Sequence, residues 1–160
     1  MIKGLHHNAY RCRDSEETRR FYEEFLSLPL VQALEISVKM SGCDSMVLHS
    51  FYRMEDGSFL AFFEEPEAPF DFKAQRDFDM RIALEVSADY LQDMKAKGEA
   101  AGIETRGVSD YGFIESIYFH DPNGYVIRLA RKRLLHDAAF DSDAAHSVLS
   151  GWQTRKQSLP

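Results

Sequence analysis

The chain has 160 residues, 19 of them Lys or Arg against 26 Asp or Glu, for a formal net charge of −7. That length buries a core without disulfides or structural zinc, as one domain or two small fused modules, and the acidic balance argues against broad attraction to nucleic acid or anionic lipid. Cys12 and Cys43 form no CxxC or Cys/His cluster, MIKGLHHNAY has no signal-type apolar core, and no apolar run approaches the ~18 residues of a membrane span, so a soluble cytoplasmic protein with reduced thiols is expected.

In chain order, Lys3 to Cys12 reads as a strand, and Asp14 with Glu17 three residues on makes a capping box at the head of a helix. Phe21, Phe25 and Leu28 carry that helix's apolar stripe until Pro29 stops it. Three strands follow, Leu30 to Val38, Met46 to Met54 and Ser58 to Glu65, the last two joined at the hairpin dipeptide Asp56-Gly57. Pro66, Pro69 and the charged, aromatic run between Glu67 and Asp79 form a connector.

The order then restarts. Arg81 to Val86 reads as a strand, Ser87 as a cap, Tyr90 to Ala101 as a helix ended by Gly102, and Ile103 to Val108, Phe113 to His120 and Tyr125 to Ala130 as strands. Asn123-Gly124 repeats the hairpin signal, so LHHNAYRCRDSEETRRFY and DGSFLAFFEEP in one half answer MRIALEVS and ESIYFHDPNGYVIRL in the other. Recurrence at about 70 residues marks a duplicated supersecondary unit. Beyond Arg131, Ala145, Val148, Leu149 and Trp152 stand at helical spacing.

The stretches HHNAYRCRDSEETRRFYEEFLSLPLV, RIALEVS and SIYFHDPNGYVIRL resemble the vicinal oxygen chelate superfamily of glyoxalases, bleomycin-resistance proteins and extradiol dioxygenases, over about residues 3–131. The resemblance implies an α+β fold, two tandem βαβββ modules forming a curved mixed sheet around a cavity, commonly as a homodimer. Residues 1–133 would form this domain, with module one about 3–65 and module two about 80–131, and residues 134–160 a C-terminal helical tail. One scaffold hosts several chemistries, so the fold alone names no reaction.

Alternation groups His7, Ala9 and Arg11 on one face of the first strand, and sets Ile82, Leu84 and Val86 apart from Arg81, Ala83 and Glu85. Ile127 and Leu129 likewise oppose Arg128. On the resemblance, His7, Arg81 and Arg128 fall at three of the family's four ligand positions. The fourth is Ala61 or Phe62, depending on register, and only the Phe62 register puts Glu64 on the same face. Arginine stays protonated and has no acceptor, so it ligates no cation. His7 is the single metal ligand kept at these positions.

No cofactor is therefore expected, and a divalent metal only with a rearranged set of His7, His49 and Glu64. Arg81 and Arg128 suit a bidentate clamp for a carboxylate or phosphate, with His49, Tyr52, Phe62 or Phe63, Phe113 and Tyr118 as ligand-facing residues. No GxGxxG, Walker loop, GxSxG or HExxH competes.

Three readings follow from this. The first is a small-molecule-binding protein with a degraded metal site, taking an anionic or aromatic ligand. The second is a metal-dependent glyoxalase- or dioxygenase-like enzyme, a lyase or isomerase, in which His7 or Glu64 is the catalytic base. The third is a partner-binding module acting through the C-terminal helix.

Overall fold

In the computed structural model the hairpin dipeptides and helix caps produce β1 (His7–Arg11), α1 (Ser15–Arg19) running into a π-helical turn (Arg20–Phe25), β2 (Leu30–Met40), β3 (Cys43–Arg53) and β4 (Phe59–Glu64), then β5 (Arg81–Glu85), α2 (Ala88–Ala100), β6 (Arg106–Asp110), β7 (Ile114–His120) and β8 (Val126–Lys132), a 3-10 turn (Asp137–Ala139) and α3 (Ser142–Lys156). The structure describes residues 1–40, 43–71, 76–77 and 79–157, without side chains at 39, 40, 43 and 44. The expected Cys43 thiol and part of the Glu67 to Asp79 connector thus lie outside the described residues.

The fold is α+β, two βαβββ runs and a C-terminal helix. The sheets are ordered β1-β4-β3-β2 and β5-β8-β7-β6, the same permutation twice. In the first, β1 runs parallel to β4 while β2, β3 and β4 are antiparallel.

Element ends differ from the sequence reading where backbone groups find other partners. The His6 carbonyl accepts from Phe59 N, so β1 begins at His7, not Lys3. Leu26 N and Leu28 N bond to the carbonyls of Phe21 and Tyr22, wide turns that close the first helix at Phe25. Ile103 N bonds back to the Gly98 carbonyl, and β6 starts only at Arg106.

By backbone proximity the chain resolves into two compact units, residues 1–82 with 119–127, and residues 83–118 with 128–160. In the first, the Asp14 carboxylate accepts from Glu17 N at 2.8 Å and so caps α1. The helical stretch then buries Thr18, Phe21, Tyr22 and Phe25. The Tyr22 ring lies 4.7 Å from Phe62 and 5.6 Å from Tyr52, centroid to centroid, and each such burial is worth about 1.5–3 kcal/mol. Cys12, buried and unpaired, sits on this side too. Burial pushes its thiol pKa up, which leaves it unreactive at neutral pH.

The turn from Asp121 to Gly124 locks this arrangement. Asp121 accepts from Tyr22 Oη at 2.9 Å, Tyr125 N at 2.8 Å, Asn123 N at 2.9 Å and Asn123 Nδ2 at 3.0 Å. Asn123 in turn accepts from Arg13 N at 2.8 Å and donates to Thr18 Oγ1 at 3.2 Å. Burial raises the Asp121 pKa, and these donors oppose that shift. Gly124 has φ +93°, the left-handed conformation that closes such a turn.

In the second unit Ser87 Oγ accepts from Tyr90 N and caps α2, which buries Leu91 and Met94, while Ile117 and Leu129 are buried on their strands. Gly107, at φ +110°, lies where an added Cβ would stand 2.7 Å from the Ser116 carbonyl oxygen, so only glycine fits. None of the residues of α3 is buried.

Asn123→Ala leaves Arg13 N without its acceptor and removes the donor to Thr18 Oγ1, which keeps its own bond to the Asp14 carbonyl, and the expected loss is about 2–4 kcal/mol. Urea unfolding checks it: a lower midpoint at unchanged slope is expected, and a midpoint within error of the parent would refute the role of the turn.

Candidate functional site

Backbone pairing decides which residues share the His7 face of the first sheet. Along β1 and β4, His7 pairs with Phe59, Ala9 with Ala61 and Arg11 with Phe63; along β3 and β4, Phe51 pairs with Ala61 and His49 with Phe63. Partners across a ladder point the same way. Ala61, and not Phe62, is therefore the His7-face residue.

Phe62 and Tyr52 lie on the opposite face, buried against Tyr22. They are core side chains there. Glu64 shares their face, and its carboxylate accepts from Ser15 N at 2.7 Å, where it serves the start of α1.

The His7 face carries an aromatic cluster. His49 is 8% exposed, its ring stacked 3.8 Å from Phe63 and 4.1 Å from Phe51. The exposed His7 ring is 6.1 Å from His49 and 5.6 Å from Phe51, and its Nδ1 lies 2.7 Å from His6 Nδ1. His49 Nε2 is buried and has no hydrogen-bond partner among the described residues. Burial first, and the neighbouring His7 second, hold the His49 pKa below its usual value. His49 is thus a neutral imidazole at physiological pH. Further along this face, Arg11 pairs with Glu65 at 3.0 Å, and Glu65 also accepts from Ser45 Oγ at 2.6 Å.

In the second unit, Arg128 is half-buried on β8. Its Nε donates to Ser116 Oγ at 2.7 Å, and its guanidinium carbon stands 5.3 Å from the Tyr111 ring and 5.9 Å from the Tyr118 ring. The two tyrosine hydroxyls are 3.1 Å apart. Both rings are within cation–π range. Among the described residues no carboxylate pairs with Arg128, whereas Arg131 and Arg133 nearby are engaged by Glu115 and Asp110. Phe113 turns to another cluster, its ring 6.2 Å from His136 and 6.0 Å from Phe140. Arg81, at the start of β5, is exposed.

Sequence reasoning overlooked Tyr111 and Ser116. The signal for Ser116 was present, since strand alternation puts it on the face of Tyr118. Tyr111 lies in the turn between β6 and β7, where periodicity carries no information.

On the resemblance, the family's metal-ligand positions would fall on His7, Ala61, Arg81 and Arg128, Ala61 being the register that the β1–β4 pairing gives. A divalent ion needs several neutral or anionic donors, and of these residue types only the imidazole of His7 is one. Among the described residues no group of three or more His, Cys, Asp or Glu could hold a metal. No helix among them is long and apolar enough to cross a membrane.

Compared with known proteins, the sequence matches no family model and no curated protein. Its structure is similar to a glyoxylase/bleomycin resistance protein/dioxygenase domain from Frankia sp. EAN1pec, at 15% identity and TM-score 0.65 over 83% of this chain and 100% of that one. It is similar to the fosfomycin resistance protein FosX from Listeria monocytogenes, at 19% identity and TM-score 0.64 over 86% and 98% of the two chains. A glyoxalase/dioxygenase from Nostoc punctiforme follows at 20% identity and TM-score 0.59, over 82% and 92%. Other FosX structures hold Mn(II) with sulfate or, in a variant, Mn(II) with 1S,2S-dihydroxypropylphosphonic acid. At these identities the likeness establishes the fold alone, two βαβββ runs arranged as in these proteins.

The lowered His49 pKa has a stability consequence. Below the ordinary histidine value of about 6.5 the unfolded chain binds a proton that the folded chain resists, so stability falls as pH drops through that window. His49→Phe keeps the stack on Phe63 and removes the titration. Between pH 7.5 and 5.5 its melting temperature is expected to fall less than the parent's by scanning calorimetry; equal slopes would refute the assignment.

Proposed function

We propose that this chain binds a small anionic molecule, with Arg128 as the anchor and without the divalent ion that FosX holds. The observation that carries the reading is the state of Arg128: a half-buried guanidinium, fixed by Ser116 and two tyrosine rings, with no carboxylate beside it among the described residues. A partly desolvated charge left unpaired is costly and is stabilised when a counter-ion arrives. Committing Nε to Ser116 orients the guanidinium plane and leaves the terminal nitrogens as the bidentate edge for a carboxylate, phosphate or phosphonate. Tyr111 and Tyr118 supply aromatic faces for the rest of the ligand.

The sulfate and the phosphonic acid bound in FosX support the same ligand class on this fold. The donor set at the four positions supports a metal-independent mode of binding.

One observation favours an enzymatic second reading. His49 is neutral, its buried Nε2 lacks a partner, and it stands beside His7, so the pair has a base available at neutral pH. Glu64 adds little to it, because its carboxylate is bonded to Ser15 N.

Arg128→Ala is expected to weaken binding of methylphosphonate by about tenfold or more and Arg128→Lys by less, since Lys keeps the charge and loses the planar fork. Calorimetric titration measures this, and melting curves verify that the fold persists; equal affinity for all three proteins would end the proposal. Protein purified without chelator is expected to carry far less than one equivalent of manganese, iron, zinc or nickel by elemental analysis. One equivalent of any of these would overturn the metal-independent reading.

A further inference from the structure

An irregularity in the edge strand β6 places a second guanidinium on the face that carries Arg128. Arg106 pairs with Tyr118 and Ser109 with Ser116, so three steps along β6 answer two along β7. This is a β-bulge, one extra residue in β6. Under strict alternation Arg106 and Ser109 would point to opposite faces. With the bulge both take the face of their partners, where Ser116 is fully enclosed and Tyr118 nearly so. Gly107 makes the bulge possible: its φ is +110°, and an added Cβ would also meet Ile117 Cα at 3.3 Å.

Arg128 lies on that same face, since its Nε bonds to Ser116 Oγ and its guanidinium carbon is 5.9 Å from the Tyr118 ring. In the sheet order β8-β7-β6, Arg128 and Arg106 therefore flank Tyr118 from its two neighbouring strands. Two strand spacings put their backbones about 10 Å apart, a gap that two long side chains close on one small group. Arg106 is half-buried and meets Glu104 at 3.5 Å, an ion pair whose side chains are 41% and 63% exposed. A pair so open to solvent is weak and gives way to a better-placed anion.

A carboxylate has two oxygens and one charge, and the terminal nitrogens of Arg128 use both oxygens. A phosphate monoester or a phosphonate has three oxygens and nearly two charges, so it fills the fork of Arg128 and keeps an oxygen for Arg106. We propose that Arg106 is the specificity-determining residue of the anion site, and that with Arg128 it selects a tetrahedral dianion over a carboxylate. The bulge at Gly107 is the device that turns it to this face. The inference rests on the reading of Arg128 as the anchor and adds to it the charge and shape of the ligand's head group.

Calorimetric titration of the full chain at about pH 8 with monomethyl phosphate, dimethyl phosphate and acetate tests this. The first is there a tetrahedral dianion, the second a tetrahedral monoanion and the third a planar monoanion. The parent is expected to bind monomethyl phosphate about tenfold or more tightly than either of the others. Arg106→Gln is expected to erase that preference, weakening monomethyl phosphate about tenfold while acetate changes less than about twofold. Arg106→Lys, which keeps the charge, is expected to retain most of it. Far-ultraviolet circular dichroism checks that each variant keeps its fold. A preference that survives Arg106→Gln overturns the inference and leaves the Arg128 reading in place, and so does an equal loss for all three probes. If the parent binds none of the probes, or Arg128→Ala binds them as the parent does, the Arg128 reading fails and the inference falls with it.

Discussion

The buried turn at Asp121 and Asn123 is the constraint on which the first unit rests. One carboxylate and one amide, both nearly inaccessible, hold Tyr22 from the first helical stretch, Thr18 one turn before it, the Arg13 amide that leads out of β1, and the backbone at Tyr125. A buried polar network of this kind is stable only when all of its members are satisfied, and then it admits a single arrangement. The tyrosine hydroxyl at Tyr125 adds a bond to the Arg11 carbonyl, so the same turn also reaches the strand that presents His7.

The repeat, the caps and the hairpins were legible because they are local. Asp14 and Ser87 serve as caps, and the recurrence of βαβββ is visible as a recurrence of residue types. The register of β4 was not legible, since the alternatives Ala61 and Phe62 differ by one position and either could have faced His7. Cross-strand pairing decided it, and pairing is a long-range property. Glu64 escaped for a similar reason: its partner is a backbone amide 49 residues away. The sequence marked Asp121 to Gly124 as a turn, yet nothing in the turn chemistry reveals that its side chains are buried, because that depends on Tyr22 and Thr18 arriving over it.

An arginine sets a local field opposite in sign to that of a carboxylate at the same position. A cluster of acids and imidazoles attracts a cation, while a guanidinium beside tyrosine rings, as at Arg128, favours an anion. The aromatic setting matters as much as the charge. Tyr111 and Tyr118 stand within cation–π range of Arg128 without neutralising it, and at a half-buried position its interaction with a counter-ion is stronger than on an open surface.

Ala61 leaves no room for a larger side chain on the His7 face. It is fully enclosed, with Ala9 on one neighbouring strand and Phe51 on the other, and His49 and Phe63 closing the row beyond. A glutamate introduced there by a single substitution would meet aromatic carbon instead of open space, with no donor to receive it. A carboxylate at this position would therefore require clearing the ring stack first, so the interior of this face changes only through several coordinated substitutions.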